Sequence, residues 1–196
     1  FMIDQLREKL CQYDMKQSQT SLEFAIEKHR GQVRSEGTPY ILHPVQMALH
    51  ALYLGIREDE LLSVILLHDV CEDCDVCPEE LPVTDRVREG VRYITKTRLP
   101  RETKAEALAR YFQQMRCNRE ACVAKLFDRC HNLSSMGKGF DDARMIKYRK
   151  ETLDYVYPVL EHVRTHYPEF EDICGALEYQ MNSVLIMMEH FIPLSS

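Results

Sequence analysis

The 196-residue sequence is poor in glycine (7) and has only eight prolines. Long flexible or low-complexity stretches are therefore not expected. It has no apolar run near the roughly 20 residues that a membrane helix needs, so no bilayer span is expected. Positive charge is not in excess: 25 Lys and Arg face 31 Asp and Glu, for a formal net charge of −6. That balance argues against a general nucleic-acid-binding face, which needs a basic surface. It leaves room for a small anionic ligand held by local cations. No secretory leader is visible, because the chain turns polar within Phe1-Met2-Ile3-Asp4-Gln5. The eight cysteines are then expected as reduced thiols of a cytoplasmic protein, not as a disulfide frame. The length suits one sizeable core and hardly two, so residues 1–196 are expected to form a single domain.

What is present is helical periodicity nearly throughout, which predicts an all-α bundle. Residues 18–30 place Leu22, Ala25 and Ile26 on one face. Pro44 suits a first helical position, which predicts a helix capped by His43 and running to about Leu54, with Gly55 just past its end. The next helix is expected from Glu58 to about Cys71, a loop over 72–82, and helices over 84–97, 104–115 and 119–136. One long helix is expected over 141–163 and a last one over 169–191, which packs or mediates self-association.

The end of the Glu58–Cys71 segment carries the chemistry. His68-Asp69-Val70-Cys71-Glu72-Asp73 places four groups able to bind metals or move protons within six residues. On a continuous helix His68 and Glu72 lie one turn apart, as do Asp69 and Asp73. A lone His-Asp pair is usually a solvated helix end, so the rest of the chain must decide. His43 begins one helix, and Asp128 sits in the middle of an apolar one, where an unpaired carboxylate is costly. Asn132 follows Asp128 by one turn. Two His and two Asp suit a hard or borderline divalent ion with positions left for water and phosphate oxygens. Mn²⁺ fits such a mixed set; Zn²⁺, Fe²⁺ and Mg²⁺ also remain. Arg30, Arg34, Lys125 and Arg129 are candidate cations for a polyphosphate. Cys71, Cys74 and Cys77 are spaced like part of an iron–sulfur run, but Leu81 stands where the fourth cysteine belongs, and small loop thiols are the expectation.

Three linked stretches point to a family. His29-x-x-Gln32-x-x-x-x-Gly37-Thr38-Pro39-Tyr40-Ile41-Leu42-His43-Pro44, Leu67-His68-Asp69-x-x-Glu72-Asp73, and Lys125-Leu126-x-Asp128-Arg129-x-His131-Asn132-Leu133 together resemble the hydrolase domain of RelA/SpoT homologues. These are HD-superfamily enzymes that hydrolyse (p)ppGpp. The resemblance covers about residues 20–165, and with no synthetase region following it implies a stand-alone small alarmone hydrolase of the metazoan SpoT-homologue kind. It implies that His43, His68, Asp69 and Asp128 hold Mn²⁺. It implies that Glu72 and Asp73 orient and activate the attacking water and help protonate the leaving group. Arg34, Ser35 and Tyr148, with Arg129, are implied to face the nucleotide, and Asn132 to hold it or to stiffen the Asp128 turn. His29 and His131 are expected as supporting residues, not ligands. The implied reaction takes the 3′-pyrophosphate from ppGpp or pppGpp, leaving GDP or GTP.

Three departures bear on the substrate. Ser35 stands where the family often has Lys, Thr38 where synthetase-linked members have Glu, and Phe127 where a small Ala precedes the metal-binding Asp. The Phe127 ring is expected to reshape the pocket floor. Base choice is thereby open, and (p)ppApp or NADPH are the alternative substrates. A silent alarmone-binding module is a further alternative, against which stands the full set of six site residues.

Overall fold

The computed structural model describes residues 1–192. It is all α, and among the described residues the only β feature is an isolated bridge between Val33 and Pro39. The helices are α1 (Met2–Gln12), α2 (Lys16–Lys28), α3 (Leu42–Tyr53), α4 (Asp59–Leu67), α5 (Val70–Asp73), α6 (Asp85–Ile94), α7 (Lys104–Met115), α8 (Arg119–Ser135), α9 (Asp142–Glu151), α10 (Tyr157–His166) and α11 (Glu171–Phe191).

Two helices form the interior. Every residue of α4 from Leu61 to Leu67 is buried, and so is every residue of α8 from Glu120 to Cys130. A helix buried on all sides sits inside others; α2, α3, α6 and α8 surround α4, while α3, α6, α10 and α11 flank α8. The start of α4 is tied to α2: the Asp59 carboxylate accepts from the Gln17 and Ser18 amides at 3.0 and 2.7 Å. Those amides have no partner within their own first turn. The N-terminal helix α1, which the periodicity did not single out, fixes itself with Leu6 and Leu10, both fully buried.

Four local expectations change. The α3 helix starts at Leu42 with Ile41 before it, so His43 is inside the first turn and not its cap. Its far end is as expected: the Gly55 and Ile56 amides return to the Leu52 and Ala51 carbonyls. The Glu58–Cys71 helix is broken at His68-Asp69, because His68 Nδ1 reaches the Ile65 carbonyl at 2.7 Å. In an unbroken helix that carbonyl receives the amide of Asp69. The long helix over 141–163 is two helices joined by a π turn at Thr152–Val156. Pro158 lies just beyond it, has no amide to give, and crowds the carbonyl four residues back. Finally, Phe127 is fully buried and meets His50 edge to face at 5.3 Å, so it belongs to the core and does not line the cleft floor.

Candidate active site

The break after α4, the first turn of α3 and the middle of α8 converge on one point. His43 Nε2 lies 3.0 Å from Asp128 Oδ1 and 3.8 Å from Asp69 Oδ2. His68 Nε2 lies 2.8 Å from Asp69 Oδ2 and 3.6 Å from Asp128 Oδ1. One donor atom each from His43, His68 and Asp69 falls within a 4.8 Å cluster, and among the described residues no cysteine joins such a group. Instead Cys74 Sγ lies 3.4 Å from His29 Nδ1, and Cys71 and Cys77 make no shared site.

The donor set fits a cation. His68 gives its Nδ1 proton to Ile65 O, which turns the buried Nε2 toward the two carboxylates; a cation there would take the place of the Nε2 proton that the carboxylates otherwise hold. Two carboxylates point at the same spot. Burial opposes charge on all three groups, yet their mutual attraction wins: His68 is held well above the usual imidazole range, and Asp69 below the usual carboxylate range. Burial likewise opposes Asp128, but Lys125 and the two imidazoles hold it well below that range. Lys125 Nζ donates to Asp128 Oδ2 at 2.7 Å, and both side chains are buried. Asn132 Nδ2 donates to Asp128 Oδ1 at 2.7 Å, while its own Oδ1 accepts from Arg34 Nη2 at 2.9 Å. Asn132 therefore stiffens the Asp128 turn and ties it to the opposite wall.

A cleft of about 390 Å³ opens from this point. Glu72 and Asp73 project into it from α5, and burial by the surrounding protein raises both carboxyls above their ordinary values. Glu72 accepts the Lys96 amide at 3.0 Å. The far wall starts at the hairpin between α2 and α3. There the Gly37 amide returns to Arg34 O at 2.8 Å, and Gly37 has φ +85°, the left-handed residue that closes a three-residue loop. Arg34 and Ser35 reach the cleft from that loop. Gly139 seals the loop to the segment after α8: a Cβ there falls 2.5 Å from Ser35 Oγ. Tyr148 completes the wall from α9. Arg129 is 2 % exposed, bonded to Glu151 and stacked 4.4 Å from the Tyr148 ring, so its charge is already matched.

Every residue expected at the site thus meets the cleft or the convergent cluster, except Arg30, which is exposed and does not line the cleft. Several others do so without having been singled out. Tyr40 donates its hydroxyl to Asp69 and stacks on His29, which explains why His29 is buried there. The signal of Tyr40 in the sequence is its place in the Gly37-Thr38-Pro39-Tyr40 part of the family motif. Lys125, expected as a cation for the polyphosphate, is instead the buried partner of Asp128, three residues earlier on the same helix. Phe140, Arg144, Lys96 and Tyr111 also line the cleft; Arg144 lies 3.7 Å over the Phe140 ring. His131 supports more than its helix: its Nδ1 meets His43 Nδ1 at 2.7 Å.

Comparison with known proteins follows the same lines. The HD-domain family matches residues 21–162. A guanosine-3′,5′-bis(diphosphate) 3′-pyrophosphohydrolase of Vibrio cholerae is 31% identical over 83% of this chain and 24% of its own length. The protein of that name from Aquifex aeolicus is 34% identical over 74% of this chain and 21% of its own length. The bifunctional (p)ppGpp synthase/hydrolase SpoT of Escherichia coli is 30% identical over 75% of this chain and 22% of its own. The chain therefore spans about a quarter or less of these relatives. A solved structure described as a metazoan ortholog of SpoT that hydrolyzes ppGpp shares the fold, with a TM-score of 0.68 and 24% identity, covering 87% of this chain and 94% of that one.

Proposed function

The chain belongs to the HD-domain family, and from that premise we propose that it hydrolyses the 3′-pyrophosphate of (p)ppGpp with the help of Mn²⁺. The observation that carries the proposal is the convergence of two imidazoles and two carboxylates beside a second carboxylate pair, at the bottom of a cleft with a cationic wall. His43, His68, Asp69 and Asp128 are the residues to hold the ion. When bound, such an ion supplies positive charge that acidifies water and neutralises phosphate oxygens.

The chain's own groups do the rest. Glu72, fixed by the Lys96 amide, and Asp73 orient the attacking water and take its proton; their raised affinity for protons suits both that role and delivery of a proton to the departing 3′ oxygen. Water attacks phosphorus, the bond to the 3′ oxygen breaks, and GDP and pyrophosphate leave. Arg34, Ser35, Asn132 and Tyr148 face the nucleoside, and Arg129 sets the Tyr148 ring. The nucleotide is the proposed partner, in a cytoplasmic protein. All eight cysteines are free, and no helix among the described residues is long and apolar enough to cross a membrane.

A second substrate reading rests on Ser35, which puts a small hydroxyl on the base-side wall where the family often carries a cation. It admits ppApp or NADPH. Product analysis with ppGpp, ppApp and NADPH, each with Mn²⁺ and with chelator, tests both. Chelator-sensitive GDP and pyrophosphate from ppGpp support the first; turnover of only ppApp or NADPH replaces it with the second.

A further inference from the structure

Behind the cleft, on the far side of His43, lies a second cavity of about 470 Å³ whose lining includes His43, Gln46 and His131. These three side chains form a polar chain. Gln46 Oε1 meets His131 Nε2, and His131 Nδ1 meets His43 Nδ1 at 2.7 Å. The other end, His43 Nε2, faces Asp128 Oδ1 at 3.0 Å.

Such a chain has only two self-consistent polarities. In one, the Gln46 carbonyl accepts from His131 Nε2–H, the His131 Nδ1 lone pair accepts from His43 Nδ1–H, and the His43 Nε2 lone pair faces the two carboxylates. In the other, every donor reverses: Gln46 gives an amide proton, and His43 Nε2–H is spent on Asp128. Only the first leaves His43 able to bind a cation. The surroundings of Gln46 favour it, because the amide nitrogen sits 3.5 Å from Met2 Sδ, a weak acceptor, and the carbonyl is left for His131; a bound cation would take the place of the Nε2 proton that otherwise closes the 3.0 Å contact to Asp128.

We infer that Gln46 and His131 are positioning residues that fix the tautomer of His43, so that the metal affinity of the site is set from the cavity behind it. The inference rests on the metal-site reading above and adds two residues to it. Partners of this kind orient a metal-binding imidazole, and their loss typically weakens metal affinity by about 10–100-fold.

The test is the Mn²⁺ dissociation constant of the full chain by calorimetric titration, with melting temperature as the folding control. Four proteins are compared: wild type, Gln46→Glu, Gln46→Leu and His131→Ala. A glutamate at position 46 can only accept, so Gln46→Glu keeps wild-type affinity or tightens it. Gln46→Leu and His131→Ala each weaken Mn²⁺ by about 10–100-fold. In ¹⁵N spectra the wild-type and Gln46→Glu proteins show His43 protonated at Nδ1, and Gln46→Leu shows a mixture. Equal affinity in all four proteins overturns the inference, as does a Gln46→Glu variant that loses as much as Gln46→Leu. A wild-type protein that binds no divalent ion overturns the metal-site reading itself, and is told apart by that first titration.

Discussion

The two sides of the cleft are built to different rules. On one side His43, His68 and Asp128 are almost wholly buried, and each is held by at least one further group: His131, the Ile65 carbonyl, Lys125 and Asn132. On the other side Ser35 and Arg144 are exposed, Phe140 and Tyr148 half-buried, and they come from a hairpin tip and from the segment after α8. Chemistry that depends on a fixed charge pattern sits on interior helices that cannot move without unpacking the core. The proposed ligand recognition sits on the hairpin loop and on the exposed start of α9, where side chains can change with little cost to the fold. Arg144 over Phe140 and Arg129 over Tyr148 give the outer wall a rigidity of its own, by stacking instead of burial.

Substitutions on either side sharpen this contrast. The largest effect is expected for Asp128→Ala, which strands the buried Lys125 ammonium and removes a proposed ligand. Turnover falls to background, and denaturant melts lose about 3–5 kcal/mol. Asp73→Asn comes next. It lies at the rim, so the melting temperature hardly changes while the rate drops by about 10²–10⁴-fold; an active Asp73→Asn protein removes Asp73 from the proposed role. Phe127→Ala probes the same helix as Asp128, one position before it, where the side chain turns to the His50 side of the core. It costs about 3–5 kcal/mol of stability and leaves KM untouched, whereas a raised KM returns the ring to the pocket floor.

Smaller effects belong to the outer wall. Arg144→Ala raises KM by about tenfold, the worth of one charge-assisted contact, with kcat and melting temperature nearly unchanged. A loss of stability there instead makes the wall part of the core. The smallest is Glu72→Gln in chelator-treated protein. Burial raises the Glu72 carboxyl, so at pH 7 the native side chain is ionised at a cost that glutamine does not bear. The variant therefore melts slightly higher at pH 7. The difference closes as the pH falls and the native carboxyl takes up its proton. A variant that melts lower at pH 7 contradicts that environment.

The sequence made the buried side legible and the outer wall only partly so. An Asp within the apolar run of α8 and a His-Asp pair ending the run of α4 conflict with their surroundings, and such conflicts mark function. The all-α class followed from period alone. The break at His68 could not be read, since it depends on an imidazole taking a backbone carbonyl, a choice made by the assembled site. Lys125 read as a cation for the polyphosphate, because only packing shows that it is buried against Asp128. Phe140 and Arg144 left no signal, since an aromatic after a glycine and an arginine on an exposed helix turn are ordinary. Gln46 and His131 are 85 residues apart and become partners only where α3 crosses α8.

The central claim is a metal-dependent pyrophosphohydrolase built on the buried side of the cleft. Its most direct test is pyrophosphate release from ppGpp by chelator-stripped protein as Mn²⁺ is added back, with Asp128→Asn alongside. The account predicts that pyrophosphate and GDP appear in equal amounts, that the rate saturates with Mn²⁺, and that the variant stays silent. Wild-type protein that binds Mn²⁺ yet leaves ppGpp intact, or releases pyrophosphate equally well without the ion, contradicts it.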